Sequence, residues 1–250
     1  MLEETQEVAN EVGKQHIIDD ILEFLPSEVE ISLDLPSKGR FYKSCPGGTV
    51  RVRPMQFSDE KALLNAKKSN VDPINLLLEK CVEGMNTSEL LQQDKLFLIM
   101  KIRELSYGEE YKTIVTCDKC NFDNHSTFNL SKLPIKEIPD EITNPMELDL
   151  PVLKKKVIVK LPTLRDEHFL ADVDEIDNNL WRFILEIAGN KDKAIISEVC
   201  KKLPLKDIHA LVNCMNPDFG VQTLIKYECQ ECKSFNVITL PITPDFFSTN

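Results

Sequence analysis

The chain has 250 residues, 42% of them hydrophobic, with 41 acidic against 30 basic side chains and a formal net charge of -11. This composition supports a globular fold with a buried core and argues against a disordered chain or a basic nucleic-acid binder, whose affinity would rest on neutralising phosphates. No apolar run approaches the roughly 20 residues that span a bilayer, and the acidic start MLEETQEVANEVGK is unlike a signal peptide, so the expectation is a chain of the reducing cytoplasm with no membrane partner.

The first expected element is a helix over 15–25, where Ile17, Ile18, Ile21, Leu22 and Leu25 share one face and Pro26 ends the run. It would either pack on its own domain or act as an arm that docks on a partner. Two strands follow, over 29–35 and 49–53, with Pro36-Ser37-Lys38-Gly39 and Gly47-Gly48 supplying the turn chemistry between them. Ser58 is an N-cap candidate, with Asp59 and Glu60 in the first turn of the helix it would open. Asp72-Pro73 opens a second helix carrying Ile74, Leu77, Leu78 and Cys81 at helical spacing. A third runs from near Ser88 and stops before Gly108. A strand over 112–116, the pair Cys117-x-x-Cys120 and a strand over 128–133 close this half.

The second half repeats the plan. Lys154-Lys155-Lys156 reads as a solvated hairpin turn, and helices are expected over 165–173, 178–188, 194–201 and 205–213, with Trp181, Phe183, Ile184 and Ile187 in the core. Strands over 223–228 and 235–240 flank Cys229-x-x-Cys232.

Four blocks recur in the same order. Leu33-Asp34-Leu35-Pro36 returns as Leu148-Asp149-Leu150-Pro151. An alternating strand ending at proline and leading to Asp59-Glu60 returns before Asp166-Glu167. Cys117 and Cys120 lie 112 residues before Cys229 and Cys232, with Gly108 and Gly220 at the same offset. Phe128-Asn129 and Leu133-Pro134-Ile135 match Phe235-Asn236 and Leu240-Pro241-Ile242 at an offset of 107, which implies five extra residues between knuckle and strand in the first half. The reading is a tandem duplication: an N-terminal helical extension over 1–29, a first unit over 30–144 and a second over 145–250. The fold class expected is α+β, each unit combining a β-hairpin, several helices and a knuckle hairpin, with the halves joined through a zinc-ribbon-like site.

In a reducing compartment, cysteines paired at this spacing point to metal rather than disulfides. Two knuckles supply Cys117, Cys120, Cys229 and Cys232, the four thiolates of a closed tetrahedral shell for a structural Zn2+. Metal-free thiols and a redox dithiol are the other readings; the second would normally open a helix, where the dipole lowers a thiol pKa, whereas strands flank these pairs. His125 reads as a surface residue of the first hairpin, and Cys45, Cys81, Cys200 and Cys214 as isolated loop or core thiols. There is no phosphate loop, dinucleotide fingerprint, nucleophile elbow or His-Glu-x-x-His, and the Asp-Glu pairs read as helix caps, so no catalytic or cofactor-binding residue is assigned and no enzyme is expected.

The run Leu33-Asp34-Leu35-Pro36-Ser37-Lys38-Gly39-Arg40-Phe41-Tyr42, followed by an alternating strand and Asp-Glu, resembles the baseplate hub assembly proteins of T4-like contractile-tailed bacteriophages, over roughly residues 30–110. The resemblance implies a non-enzymatic tail assembly factor that binds baseplate hub or tape-measure proteins in the host cell cytoplasm, whether or not it stays in the virion tail baseplate. The competing function is a zinc-ribbon adaptor of the transcription or translation machinery, which would need a basic surface near the knuckles; a thiol oxidoreductase is the third.

Overall fold

In this computed structural model the described residues are 30–66, 72–170, 178–242 and 244–247, together with Lys14, His16, Ile17 and Asp20. The helix expected over 15–25 therefore lies, apart from His16, Ile17 and Asp20, outside the described residues. The chain is a mixed α+β fold.

The first half opens with β1 (Ile31–Asp34) and β2 (Thr49–Val52), paired antiparallel from Ile31↔Val52 to Asp34↔Thr49. Alternation buries Val50 and Val52 and leaves Thr49 and Arg51 outside. The connection closes on itself at Gly39 and Gly48, with φ of +68° and +71°; a Cβ on Gly39 would lie 2.4 Å from the Gly48 nitrogen, and one on Gly48 would lie 2.4 Å from the Lys38 carbonyl carbon. Only glycine fits either position. Helix α1 (Phe57–Ala66) follows, then α2 (Pro73–Cys81), whose Asp72 cap accepts from the amides of Ile74 and Asn75. The short β3 (Val82–Glu83) adds to β2 and completes a three-stranded sheet. Helix α3 (Gln92–Tyr107) is buried along much of its length, through Phe97, Leu98, Ile99, Met100 and Ile102, and is the axis of the first core; the Gly108 amide, at φ +87°, ends it on the Glu104 carbonyl. β4 (Glu110–Thr116) and β5 (Asp123–Asn129) form a two-stranded ribbon, followed by β6 (Ile135–Lys136).

The second half begins with β7 (Met146–Asp149) and β8 (Lys156–Val159), paired from Met146↔Val159 to Asp149↔Lys156. The expected helix over 178–188 is instead a 3₁₀ turn (Leu180–Arg182) and a strand, β9 (Ile184–Ile187), which pairs with β8 as the third strand of its sheet. Four aliphatic residues in this run satisfy helical and strand spacing alike; pairing with β8 decides, burying Ile184 and Ile187. The expected helix over 165–173 is 3₁₀ over Leu164–Leu170, and 171–173 lie outside the described residues. Helix α4 (Lys193–Cys200) is capped by Asp192, and α5 (Leu205–Met215) covers the sheet. Together they close a second core around Leu150, Val157, Val159, Phe183, Ile196 and Leu211.

The chain then returns to the first half. β10 (Gly220–Val221) pairs with β6, and β11 (Leu224–Glu228) and β12 (Phe235–Thr239) make a second ribbon. Leu240, Phe246 and Phe247 enter the first core, where the Phe246 ring meets Tyr111 edge-on at 4.9 Å between centroids. The buried Arg103 guanidinium donates from Nε to the Phe246 carbonyl at 2.7 Å, and the Tyr111 hydroxyl donates to Pro241 O at 3.0 Å. Where the halves abut, Lys95 Nζ lies 2.6 and 2.7 Å from the two Glu167 oxygens, and the Leu164 amide donates to Leu90 O at 2.8 Å.

Candidate metal centre

Each ribbon ends in a turn with the same backbone bonds. In the first, the Cys117 amide donates to Phe122 O at 2.9 Å and the Asn121 amide to Cys117 O at 2.9 Å; in the second, Cys229 donates to Ser234 O at 2.9 Å and Lys233 to Cys229 O at 3.1 Å. Asn121 and Lys233, each just after the second cysteine, both have a φ of 57°. This left-handed residue folds the turn tightly enough to aim both of its sulfurs the same way. The leading cysteines, Cys117 and Cys229, are fully buried, and the trailing ones, Cys120 and Cys232, are exposed.

The turns meet. The four Sγ atoms of Cys117, Cys120, Cys229 and Cys232 all lie within 4.8 Å of one another, and each close pair crosses between ribbons: Cys117 to Cys232 at 3.8 Å and Cys120 to Cys229 at 3.7 Å. These are far longer than a disulfide, and all eight cysteines are free. They match the edge of a tetrahedron, about 3.8 Å, set by metal–sulfur bonds of about 2.3 Å. The four expected ligands are thus together, and Cys45, Cys81, Cys200 and Cys214 are elsewhere, three of them buried. His125 is exposed on β5 and is not part of the cluster.

The charges of the cluster are unequal. The Ser234 hydroxyl, 3.0 Å from Cys232 Sγ and 3.6 Å from Cys117 Sγ, draws Cys117 down to about 5 against the opposing effect of burial, and holds Cys232 below the usual thiol range as well. Cys120 goes the other way, up to about 12: the favourable bond from the Phe122 amide is outweighed by burial and by the sulfurs of Cys232, Cys229 and Cys117. Sulfurs in contact resist ionising together unless a cation sits among them. The donor set fits a thiophilic divalent ion, and four protein sulfurs leave such an ion no open position.

Two asparagines tie the ribbons together, and neither figures in the expected site. Asn124 is fully buried: its amide nitrogen donates to Val115 O and Phe122 O in its own ribbon, while Oδ1 accepts the Gln230 amide of the opposite turn at 2.7 Å. Asn236 donates to Ser234 O at 2.9 Å, and its Oδ1 lies 3.5 Å from the Cys117 sulfur of the other turn. Each asparagine follows the second cysteine of its own pair by four residues, so the signal stood in the sequence as Cys-x-x-Cys-x-x-x-Asn, twice. The expected match of Asn129 with Asn236 concealed it. β5 begins at Asp123 and β12 at Phe235, each three residues after the knuckle, so no residues are inserted between knuckle and strand; the first ribbon is longer at its far end, with strands of 7 residues against 5.

The Asp-Glu pairs lie apart from this centre. Asp59 accepts from the Gln56 amide at 2.9 Å and from Arg53 at 2.7 Å; Asp166 accepts from the Thr163 amide at 3.1 Å and from Lys160 at 2.9 Å. Both bond back to the start of their own helical turn, the geometry of a cap. The Leu-Pro-Ser-Lys-Gly run is organised by another carboxylate, Asp94 of α3. It accepts the Ser37 amide at 3.1 Å and the Tyr42 hydroxyl, and the Tyr42 oxygen in turn accepts the Leu91 amide at 3.0 Å.

A family model described as T4 bacteriophage base plate protein matches residues 28–248. No curated protein and no solved structure matches the chain.

Proposed function

The chain belongs to the T4 bacteriophage base plate protein family, and on that premise we propose that it is a non-enzymatic tail assembly factor that binds baseplate hub or tape-measure components and promotes assembly of the hub. The observation that carries this reading is the extent of the family match, which takes in both cores and both ribbons. The four-sulfur cluster supports a structural role for Zn2+: a closed shell joins two ribbons far apart in sequence and offers nothing to a substrate. A rigid, clasped body of this kind suits a binding platform. It works in the host cell cytoplasm during assembly and reaches the virion tail baseplate if it is retained. Among the described residues no helix is long and apolar enough to cross a membrane.

We also read 30–144 and 145–250 as two copies of one unit. Support comes from the paired features: two three-stranded sheets of the same order, Asp59 with Arg53 against Asp166 with Lys160, and two knuckles with a left-handed residue at the same position. Asp94 and Asp207, each the third residue of its helix, both accept amides from the turn after the unit's first strand.

The test is affinity capture of the tagged protein from phage-infected cells, with captured proteins identified by mass spectrometry. Enrichment of baseplate hub or tape-measure proteins is the expected result. Enrichment of polymerase or ribosomal components without tail proteins would overturn it in favour of a zinc-ribbon adaptor.

A further inference from the structure

The turn after the first strand of each half is built alike, yet among the described residues only one of the two is covered. In the first half, an acidic segment bearing isoleucines lies over it. Glu137 accepts from Lys38 Nζ at 2.7 Å, and the Arg40 guanidinium donates to the carbonyls of Pro139, Asp140 and Ile142. The Ile138 amide donates to Pro36 O at 3.3 Å, and its side chain is buried. In the second half, the amides of Val152 and Leu153 donate to the Asp207 carboxylate at 2.7 and 3.0 Å, which seats the turn on the start of α5. Its outer side is bare among the described residues. Val152, Leu153 and Leu205 are 49%, 40% and 75% exposed, and the exposed Lys154, Lys155 and Lys206 make no ion pair there. The stretch after the second knuckle, where a counterpart of 137–142 would fall, instead sends Phe246 and Phe247 into the first core.

We propose that this lysine-ringed apolar patch is the docking site for the chain's own N-terminal arm, residues 15–25. The first 30 residues hold nine carboxylates against one basic side chain, Lys14, while the remaining 220 hold 32 acidic and 29 basic residues. Most of the net charge of -11 therefore sits on this N-terminal segment, and the arm itself carries three carboxylates, Asp19, Asp20 and Glu23, and no lysine or arginine. Ile17, Ile18, Ile21, Leu22 and Leu25 fall at helical spacing between Asp19, Asp20 and Glu23. That is the combination of isoleucine and carboxylate with which Ile138 and Glu137 cover the first turn. Ile17 is 61% exposed and helical, with His16 and Asp20 3.5 Å apart on the same segment. A second exposed apolar strip among the described residues, Leu224, Phe235 and Val237 on the second ribbon, carries both Lys226 and Glu228 on the same face, and these charges cancel. It does not select an acidic helix.

The test is photo-crosslinking in the full chain, with benzoylphenylalanine in place of Leu153, followed by digestion and mass spectrometry. Adducts should map to residues 15–25. Their yield should fall at least tenfold in Lys154→Glu/Lys155→Glu/Lys206→Glu, with far-UV circular dichroism unchanged. It should fall equally in Ile18→Asp/Ile21→Asp, which leaves the body of the protein untouched. The same label in place of Val237 should give no arm adduct. Mixing isotopically light and heavy chains tells docking within a chain from docking between copies, and either places the arm on the patch. Adducts that map outside the arm, no adducts at all, or a yield insensitive to the arm substitutions would overturn the proposal.

Discussion

Asn124 shows how much one side chain does at this centre. Fully buried, it spends its amide on its own ribbon and its carbonyl on the Gln230 amide of the other turn, so it fixes the approach of the two cysteine pairs without touching a sulfur. Groups that orient ligands from outside the metal's shell typically change affinity by about 10–100-fold when removed. Asn124→Ala is therefore expected to retain the metal but release it to a competing chelator at least about tenfold more readily, as read by a colorimetric zinc dye; an unchanged release curve would show that the turns hold their own geometry. The cysteines were legible in the sequence because their spacing is a chemical signature. The asparagines were half legible, since their repeat becomes visible only when the strands, and not the Phe-Asn pairs, set the register. Asp94 was not legible: nothing local says that a helical aspartate 57 residues away will anchor Ser37.

At the scale of elements, the aspartates at the helix starts carry a pH dependence, although Ser58, the expected N-cap, is the second residue of α1 and the residue before the helix is Gln56. Burial alone would raise Asp59, but the Arg53 guanidinium and the Gln56 amide outweigh it and hold the carboxyl below its usual range; Lys160 and the Thr163 amide do the same for Asp166. A lowered folded-state pKa means that the unfolded chain binds the proton more tightly. The stabilisation is thus complete above the ordinary carboxylate range, near pH 4, and is lost as pH falls towards the folded values. Asp94 has the opposite sign: burial raises it, so its contribution is greatest at low pH and is lost as pH rises through its folded value. In urea denaturation between pH 6 and pH 3, Asp59→Asn should lose less stability on acidification than the parent; equal acid slopes would remove Asp59 from the pH response. The variant should also cost about 3 kcal/mol at pH 7, the order expected when one partner of a buried pair is removed. The Asp72 cap was legible because aspartate followed by proline has one common use. β9 was not, because its aliphatic run suits either periodicity and only the edge of β8 decides between them.

Across the whole molecule, the halves are interlocked rather than strung in series. The last strands and the Phe246-Phe247 pair leave the second core behind and complete the first, pinned by Arg103 and Tyr111. The repeated blocks in the sequence pointed to two units, but not to this return, since pairing of β10 with β6 leaves no local trace. Interlocking implies one cooperative transition. Phe246→Ala, a truncation in the first core worth about 3–5 kcal/mol, should lower the urea midpoint reported by Trp181, the single tryptophan, which packs on the second core. An unchanged Trp181 midpoint would mean that the halves unfold independently. The clasp between the ribbons is the remaining tie, and metal content tests it most directly. Protein purified without added metal should contain one zinc per chain by plasma mass spectrometry, lost in Cys229→Ser and kept in Cys45→Ser. No zinc, two zincs per chain, or full retention in Cys229→Ser would contradict a single site shared by Cys117, Cys120, Cys229 and Cys232.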